Sequence, residues 1–157
     1  MSPALRVKKL WFALAATTMA LLLLSVGQAY AAPKVSVDIA VIEASRTGTK
    51  VDPRVSALKL HKKLAQYGFT SAKVMDELSA KVDLGSSVSL EFMQKNGKGR
   101  MLQVKVLEAA KALVRLQVTV PDIKFSTKTE HKNGGTFMLA LPGRQAKRLF
   151  LAVNPKL

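Results

Sequence analysis

The chain has 157 residues, and its 25 lysines and arginines outnumber its 10 acidic residues to give a net charge of +15 at pH 7. It contains no cysteine, which excludes disulfides, a cysteine-based zinc site and a lipid-modified N-terminal cysteine. The length favours one domain with a conventional hydrophobic core, and the positive charge favours partners that carry negative charge.

The first 31 residues have the three-part layout of a secretory signal peptide. Arg6, Lys8 and Lys9 precede an apolar run over residues 10–26, and residues 29–31 (Ala-Tyr-Ala) supply the small-x-small pattern that a signal peptidase cleaves. We predict cleavage after Ala31. An uncleaved anchor is the alternative, because the apolar run reaches the lower length limit of a membrane-spanning helix, about 17 residues.

Residues 32–157 are predicted to form a single exported domain that is periplasmic or extracellular. The leader carries three of the 25 basic residues and none of the 10 acidic residues, so the remaining chain keeps a net charge of +12. Without disulfides, packing alone must hold this domain together.

The domain begins with a strand and a helix. Apolar residues alternate with others over residues 35–42, which is typical of a strand. Asp52-Pro53 then provides a capping carboxylate followed by proline at the first helical position. Leucines and alanines recur at helical spacing up to Gly68, so we expect one amphipathic helix here.

After Gly68 the pattern is typical of strands almost to the end of the chain. A strand from about Phe69 with a bend near Asp76-Glu77 is predicted first, although residues 75–82 also suit a helical turn. Shorter alternating segments follow, and we expect hairpins between them; the turn signals lie at Gly85-Ser86, residues 96–99, residues 108–111, Pro121-Asp122, residues 133–135 and Pro142-Gly143.

The last predicted strand, residues 149–153, is apolar on both faces, which indicates a central or well-covered position. The expected fold class is therefore α+β: a mostly antiparallel β-sheet or small sandwich with one amphipathic helix after the first strand.

Catalytic and metal-binding patterns are missing. The two histidines, His61 and His131, have no ligand spacing around them, and no serine occupies a nucleophile elbow. A set of Ser71, His131 and Asp122 has no positional support. The adjacent carboxylates Asp76 and Glu77 would point to different faces of a strand. We therefore expect no catalytic site, no metal site and no cofactor.

Two glycine-containing loops are the candidate interaction sites, because loops on a rigid scaffold commonly carry function. The first contains Asn96, Gly97, Lys98 and Arg100, and the second contains Asn133, Gly134 and Gly135. Neither has the frame of a phosphate-binding loop, and N-G turn chemistry favours a hairpin tip at both.

The positive charge also suggests a polyanion ligand, such as an anionic lipid, a cell-wall polymer or nucleic acid. A generally basic, soluble surface is the alternative, since the basic residues are spread along the chain. Six aromatic residues lie in apolar patterns and are expected in the core rather than on a base-stacking platform: Tyr67, Phe69, Phe92, Phe125, Phe137 and Phe150.

Residues 34–45 (KVSVDIAVIEAS) and 133–141 (NGGTFMLAL) resemble two strands of the outer-membrane secretin domain. The first is similar to the valine-rich strand that opens that domain, and the second to its glycine-then-apolar strand. The long pore-forming strands of that family are missing, so the resemblance implies an accessory envelope protein related to secretion machinery rather than a pore.

The expected function is that of a non-enzymatic exported envelope protein that binds a protein partner or takes part in assembly. A basic polyanion-binding module is the second interpretation, and an unrecognised small hydrolase is the third.

Overall fold

The computed structural model describes residues 31–143 and 146–157. The expected leader up to Tyr30 and the basic residue Arg144 lie outside these ranges. The elements in chain order are β1 (Lys34–Ser45), α1 (Pro53–Ala57), α2 (His61–Gln66), β2 (Ser71–Asp83), β3 (Ser87–Met93), β4 (Gly99–Ala109), β5 (Leu113–Val120), a 3-10 turn (Pro121–Ile123), β6 (Phe125–Lys132), β7 (Phe137–Ala140) and β8 (Lys147–Lys156). Within the two described ranges, no helix combines the length and apolar character needed to cross a bilayer.

The strands form two four-stranded antiparallel sheets. Sheet I has the order β2-β1-β8-β7, and sheet II has the order β3-β4-β5-β6. The predicted β-rich α+β architecture with mostly antiparallel sheets is confirmed. The last strand, β8, is central in sheet I, as its apolar character on both faces predicts.

The two central strands of sheet I, β1 and β8, are mostly buried on both faces, because the inner face of the sheet packs on sheet II and its other face packs on the helices. Val35, Val37, Ile39 and Val41 point from β1 into the core between the sheets, where they meet residues such as Leu116. Fully burying one such side chain contributes about 1.5–3 kcal/mol. The helix side has its own core, formed by Ala40, Ile42, Ala44, Val55, Leu60, Leu64, Phe69, Ala72, Val74, Phe150 and Ala152.

A β-bulge interrupts the pairing of β1 with β2. Val41 pairs with Asp76, whereas the next residue, Ile42, pairs with Val74, so Met75 has no partner in β1. The expected bend near Asp76-Glu77 corresponds to this bulge, since an extra residue in one strand bends and twists it.

The helical segment differs from the single helix that the pattern predicts. Asp52 caps α1 as expected, since its side chain accepts a hydrogen bond from the Arg54 backbone amide. The helix then stops, and Lys59 takes a left-handed conformation with φ of 57° before α2 begins. A continuous helix would place Leu60 about 140° around the axis from Val55. The break allows both side chains to enter the same core.

The turn predictions are confirmed for four connections and wrong for two. Hairpins join β3 to β4, β4 to β5, β5 to β6 and β7 to β8. The segments at Gly85-Ser86 and residues 133–135 instead pass from one sheet to the other, because the strands that they connect belong to different sheets. Local turn chemistry is the same in both cases, so it does not reveal which strands pair.

Candidate functional site: the basic end of sheet I

Three strands bring basic side chains together where β1 ends and β8 begins. Ser45, the last residue of β1, pairs with Ser71 of β2 and with Lys147 of β8. The backbone amide of Arg46 donates to the carbonyl oxygen of Ala146 at 3.1 Å, which extends the pairing by one step. We call this region the basic end of sheet I. It carries a groove on each side of the sheet.

The first groove, on the helix side, combines aromatic and arginine side chains. It has a volume of about 500 Å³, and we call it the aromatic–arginine groove; its lining residues are Arg46, Tyr67, Phe69, Met138, Ala140, Arg148 and Phe150. Tyr67 is 63% exposed. The prediction that this tyrosine belongs to the core is therefore wrong: it follows α2 as the C-terminal cap, beyond the last buried turn.

Phe69 and Phe150 form the packed part of this groove. Their rings meet edge to face, with centroids 5.3 Å apart and an interplanar angle of 83°. The Arg46 guanidinium lies over the Phe69 ring, 5.6 Å from its centroid, at the distance of a cation–π contact. The described lining includes no acidic side chain. This groove therefore offers an exposed phenol and two guanidinium groups around an apolar base.

The second groove lies on the other side of the same sheet end and combines lysines with hydroxyl groups. It has a volume of about 640 Å³, and we call it the lysine–hydroxyl groove; its lining residues are Glu43, Ser45, Thr47, Gly48, Thr49, Lys50, Asp52, Pro53, Ser71, Ala72, Lys73 and Lys147. Lys50 comes from the loop after β1, Lys73 from β2 and Lys147 from β8. Three chain segments thus contribute one ammonium group each.

The hydroxyl groups of this groove are ordered by hydrogen bonds to one another and to the backbone. The Ser71 hydroxyl donates to the Thr47 carbonyl oxygen at 2.7 Å, and the Thr47 backbone amide donates to Ser45 Oγ at 3.1 Å. Ser45 Oγ and Thr47 Oγ1 share a further hydrogen bond of 2.9 Å. Gly48 has φ of 87°, a conformation that favours glycine, so the loop can turn tightly beside Ser71.

Of the two acidic residues in the lysine–hydroxyl groove, Asp52 is already neutralised. Arg54 binds it through a side-chain hydrogen bond of 2.9 Å and a backbone amide, and these interactions lower the pKa of Asp52 to about 2. The Val74 amide donates to the same carboxylate. Glu43 lies directly across from Lys73 in the β1–β2 register, but the two are not in ion-pair contact.

A third groove, of about 460 Å³, lies at the opposite end of β1 on the helix side, above Ala40 and Ala152. Its charged groups pair with one another: Lys156 binds Asp38 at 3.3 Å, and Arg54 binds Glu77 at 3.4 Å. This groove therefore presents little uncompensated charge to a ligand.

The two loops predicted as interaction sites lie at opposite ends of sheet II and do not form one surface. Residues 96–99 lead into the start of β4, at the end of sheet II where β5 finishes with Val120. Asn133 follows the end of β6, which pairs with Leu113 at the start of β5 and so lies at the other end of the sheet. Arg100 is in an ion pair with Asp122, with 3.3 Å between Nε and Oδ2.

The second loop is bound to the rest of the fold. Gly134 donates its amide to Pro155 at 2.7 Å, and Asn133 both donates to the Lys111 carbonyl and accepts from the Leu157 amide. Its residues stabilise a crossover between sheets. The first loop lies beside the basic end of sheet I, since Lys95 and Asn96 line a cavity of about 200 Å³ together with Glu43.

The structure separates the residues of the hypothetical Ser71, His131 and Asp122 set. Asp122 follows Val120, and His131 pairs with Val114, so six residues of strand, about 20 Å, separate them. The His131 ring stacks on Phe137 with centroids 3.4 Å apart. In the part of the chain that the structure describes, no three His, Asp or Glu residues are grouped closely enough to hold a metal ion.

Neither groove is predicted by the sequence. Residues 46–50 look like an ordinary polar turn, and Lys73, Lys147 and Arg148 look like scattered surface charge. Both grooves form because basic residues lie at the ends of neighbouring strands, and these strands are known to be neighbours only once the strand order of sheet I is known. No family model matches the chain, and no curated protein and no solved structure is significantly similar to it.

Proposed function

We propose that this protein is a non-enzymatic, exported binding protein that docks a protein partner in the cell envelope. The observation that carries the proposal is Tyr67, which stands 63% exposed in a groove with Arg46 and Arg148. Tyrosine, arginine and methionine are enriched in the energetic centres of protein interfaces.

The groove is suited to docking because its base is rigid. Phe69 and Phe150 are buried in the helix-side core, so the surface around Tyr67 is set before a partner arrives. Truncating an interface tyrosine of this kind costs about 2 kcal/mol or more, which weakens binding about 30-fold.

Site-specific photo-crosslinking tests this proposal. A photoreactive phenylalanine analogue is placed at position 67 in cells that express the full chain, and the matched control position is Leu113. Leu113 is 45% exposed and lies at the end of sheet II away from residues 96–99. We expect a discrete protein adduct at position 67 that survives high salt and is weakened by Arg148→Ala. No adduct at 67, or an equal adduct at 113, would refute docking at this groove.

Export is part of the proposal and has a separate test. The leader with its Ala29-Tyr30-Ala31 site supports cleavage after Ala31. The intact mass of the protein recovered from cells that express the full chain should equal that of residues 32–157. A mass that includes the leader would support the anchor instead.

The resemblance to the secretin domain supports a partner from the secretion machinery. Its first segment coincides with β1 and its second runs from residue 133 through β7, and both strands belong to sheet I. β8 lies between them, so the two segments are not paired directly. The identity of the adduct from position 67 tests this part of the proposal.

Polyanion binding is the second candidate function, and the lysine–hydroxyl groove favours it. Lys50, Lys73 and Lys147 line that groove, whereas Glu43 is the one carboxylate there that Arg54 does not neutralise. This function predicts retention on heparin that falls as salt rises, because bound phosphate or sulfate groups release counterions. No retention at low salt would exclude it.

A further inference from the structure

We infer that the lysine–hydroxyl groove is a binding site for a phosphate group carried by a larger molecule. The inference rests on the polyanion-binding function and deepens it by giving a location and a ligand chemistry. It does not depend on docking at Tyr67, which lines the other groove.

The arrangement of the three lysines is the first argument. Lys50, Lys73 and Lys147 line one concave surface from three chain segments. In the described residues, none of them is in an ion pair. A cleft lined by charges of one sign focuses its field and attracts the opposite charge. Lysine is a common phosphate ligand because it acts as a compact, strongly charged donor.

The hydroxyl protons supply the second argument. The Ser71 proton is committed to the Thr47 carbonyl oxygen. Ser45 and Thr47 carry two hydroxyl protons, but the bond between their oxygens uses only one. One O–H donor therefore remains available. This donor belongs to Ser45 or to the exposed Thr47, because either oxygen can donate in the bond that they share, and a ligand oxygen in the groove would accept from it.

The number of donors favours phosphate over a carboxylate. Three ammonium groups and one hydroxyl surround the groove, whereas a carboxylate offers only two oxygens. A phosphate monoester presents three acceptor oxygens and close to two negative charges. The groove volume of about 640 Å³ lies within the range of small-molecule pockets, about 300–1,000 Å³. There is thus room for the molecule that carries the phosphate as well as for the phosphate itself.

Glu43 provides a substitution that should strengthen phosphate binding, whereas substitution of a lysine in the groove should weaken it. It is the acidic residue of this groove that has no ion-pair partner among the described residues, and it faces Lys73 across the strand pair. A carboxylate there repels a phosphate, so removing its charge must strengthen phosphate binding. A purely structural role for the groove predicts no such gain.

The experiment uses protein purified from cells that express the full chain, at about 50 mM salt, where phosphate contacts are weakly screened. Calorimetry measures binding of inorganic phosphate, and co-sedimentation measures binding to phosphatidylcholine vesicles with and without phosphatidic acid, a lipid whose headgroup is a phosphate monoester. The variants are Lys147→Gln, Glu43→Gln and the matched control Lys128→Gln. Lys128 is exposed in the middle of β6 in sheet II, and its substitution changes the net charge by the same amount as Lys147→Gln.

We expect Lys147→Gln to weaken binding about tenfold, the typical effect of losing a charge-assisted hydrogen bond. Glu43→Gln should strengthen binding about fivefold, as expected for removal of a like charge a few ångströms away. Lys128→Gln should stay within about twofold, since an exposed distant charge is screened. Thermal unfolding of each variant separates these effects from loss of the fold.

The probes distinguish the sources of the phosphate. Variant-sensitive binding to inorganic phosphate supports a small phosphorylated molecule, and variant-sensitive binding only to the phosphatidic acid vesicles supports a lipid headgroup. Equal weakening by Lys128→Gln and Lys147→Gln would overturn the inference in favour of diffuse charge, while leaving heparin retention intact. Failure of Glu43→Gln to strengthen binding, or no binding to any probe, would also overturn it.

Discussion

Replacing Phe92 by alanine tests whether the two sheets share one core. Phe92 is fully buried, and its side chain belongs to the core between sheets I and II. Loss of a buried phenylalanine ring costs about 3–5 kcal/mol, because the transfer free energy and a cavity both contribute.

Urea unfolding followed by circular dichroism measures this effect, and the total stability of a small domain is about 5–15 kcal/mol. Phe92→Ala should lower the midpoint with an unchanged slope and lower the melting temperature by about 10–20 °C. Met93→Ala is the control: Met93 is 50% exposed and should change stability by less than about 0.5 kcal/mol. A loss below about 1 kcal/mol for Phe92→Ala would refute the shared core.

Three further predictions concern protons and a turn. Partial burial, helped by the charge of Lys63, lowers the pKa of His131 below its ordinary 6.5, so the unfolded chain binds the proton more tightly. The folded state is therefore fully stable above pH 6.5, where His131 is neutral in both states, and loses stability as the pH falls. The urea midpoint of the wild type should drop between about pH 7.5 and about pH 5, and that of His131→Gln should drop less. Arg54 lowers the pKa of Asp52 to about 2, so this carboxylate stabilises the fold above pH 3.8 and ceases to do so as the pH falls towards 2. Asp52→Asn should have a lower urea midpoint than the wild type at neutral pH and nearly the same midpoint at about pH 2. Gly97→Ala should cost about 1 kcal/mol in urea unfolding because φ is 74° there, whereas Gly97→Asn should cost less, since asparagine tolerates this conformation.

Much of the fold could be predicted because its signals are local. The alternation over residues 35–42 identifies β1, and the apolar character of residues 149–153 on both faces identifies a central strand. Asn96-Gly97 identifies a hairpin tip, since Gly97 has the positive φ that such turns require. Each of these features depends on a few neighbouring residues.

The missed features depend on contacts between distant residues. The break at Lys59 arises because both Val55 and Leu60 enter one core, which outweighs the continuous helical pattern. Residues 133–135 cross between sheets because β7 pairs with β8 rather than with β6. The exposure of Tyr67 likewise depends on where the sheet ends. The two grooves require the strand order of sheet I, and nothing local to Lys73 or Lys147 indicates it.

The pairing of β1 with β8 has a consequence for how the protein reaches its folded state. Ser36 pairs with Lys156, so the first strand of the domain obtains its second neighbour only when the last residues of the chain are available. Contacts at such large sequence separation slow folding, because a long loop must close before they form. A chain that emerges from its N-terminus therefore leaves one hydrogen-bonding edge of β1 unpaired until its C-terminus has emerged. An unpaired strand edge can pair with another chain, so the partly folded protein is vulnerable to aggregation during that interval.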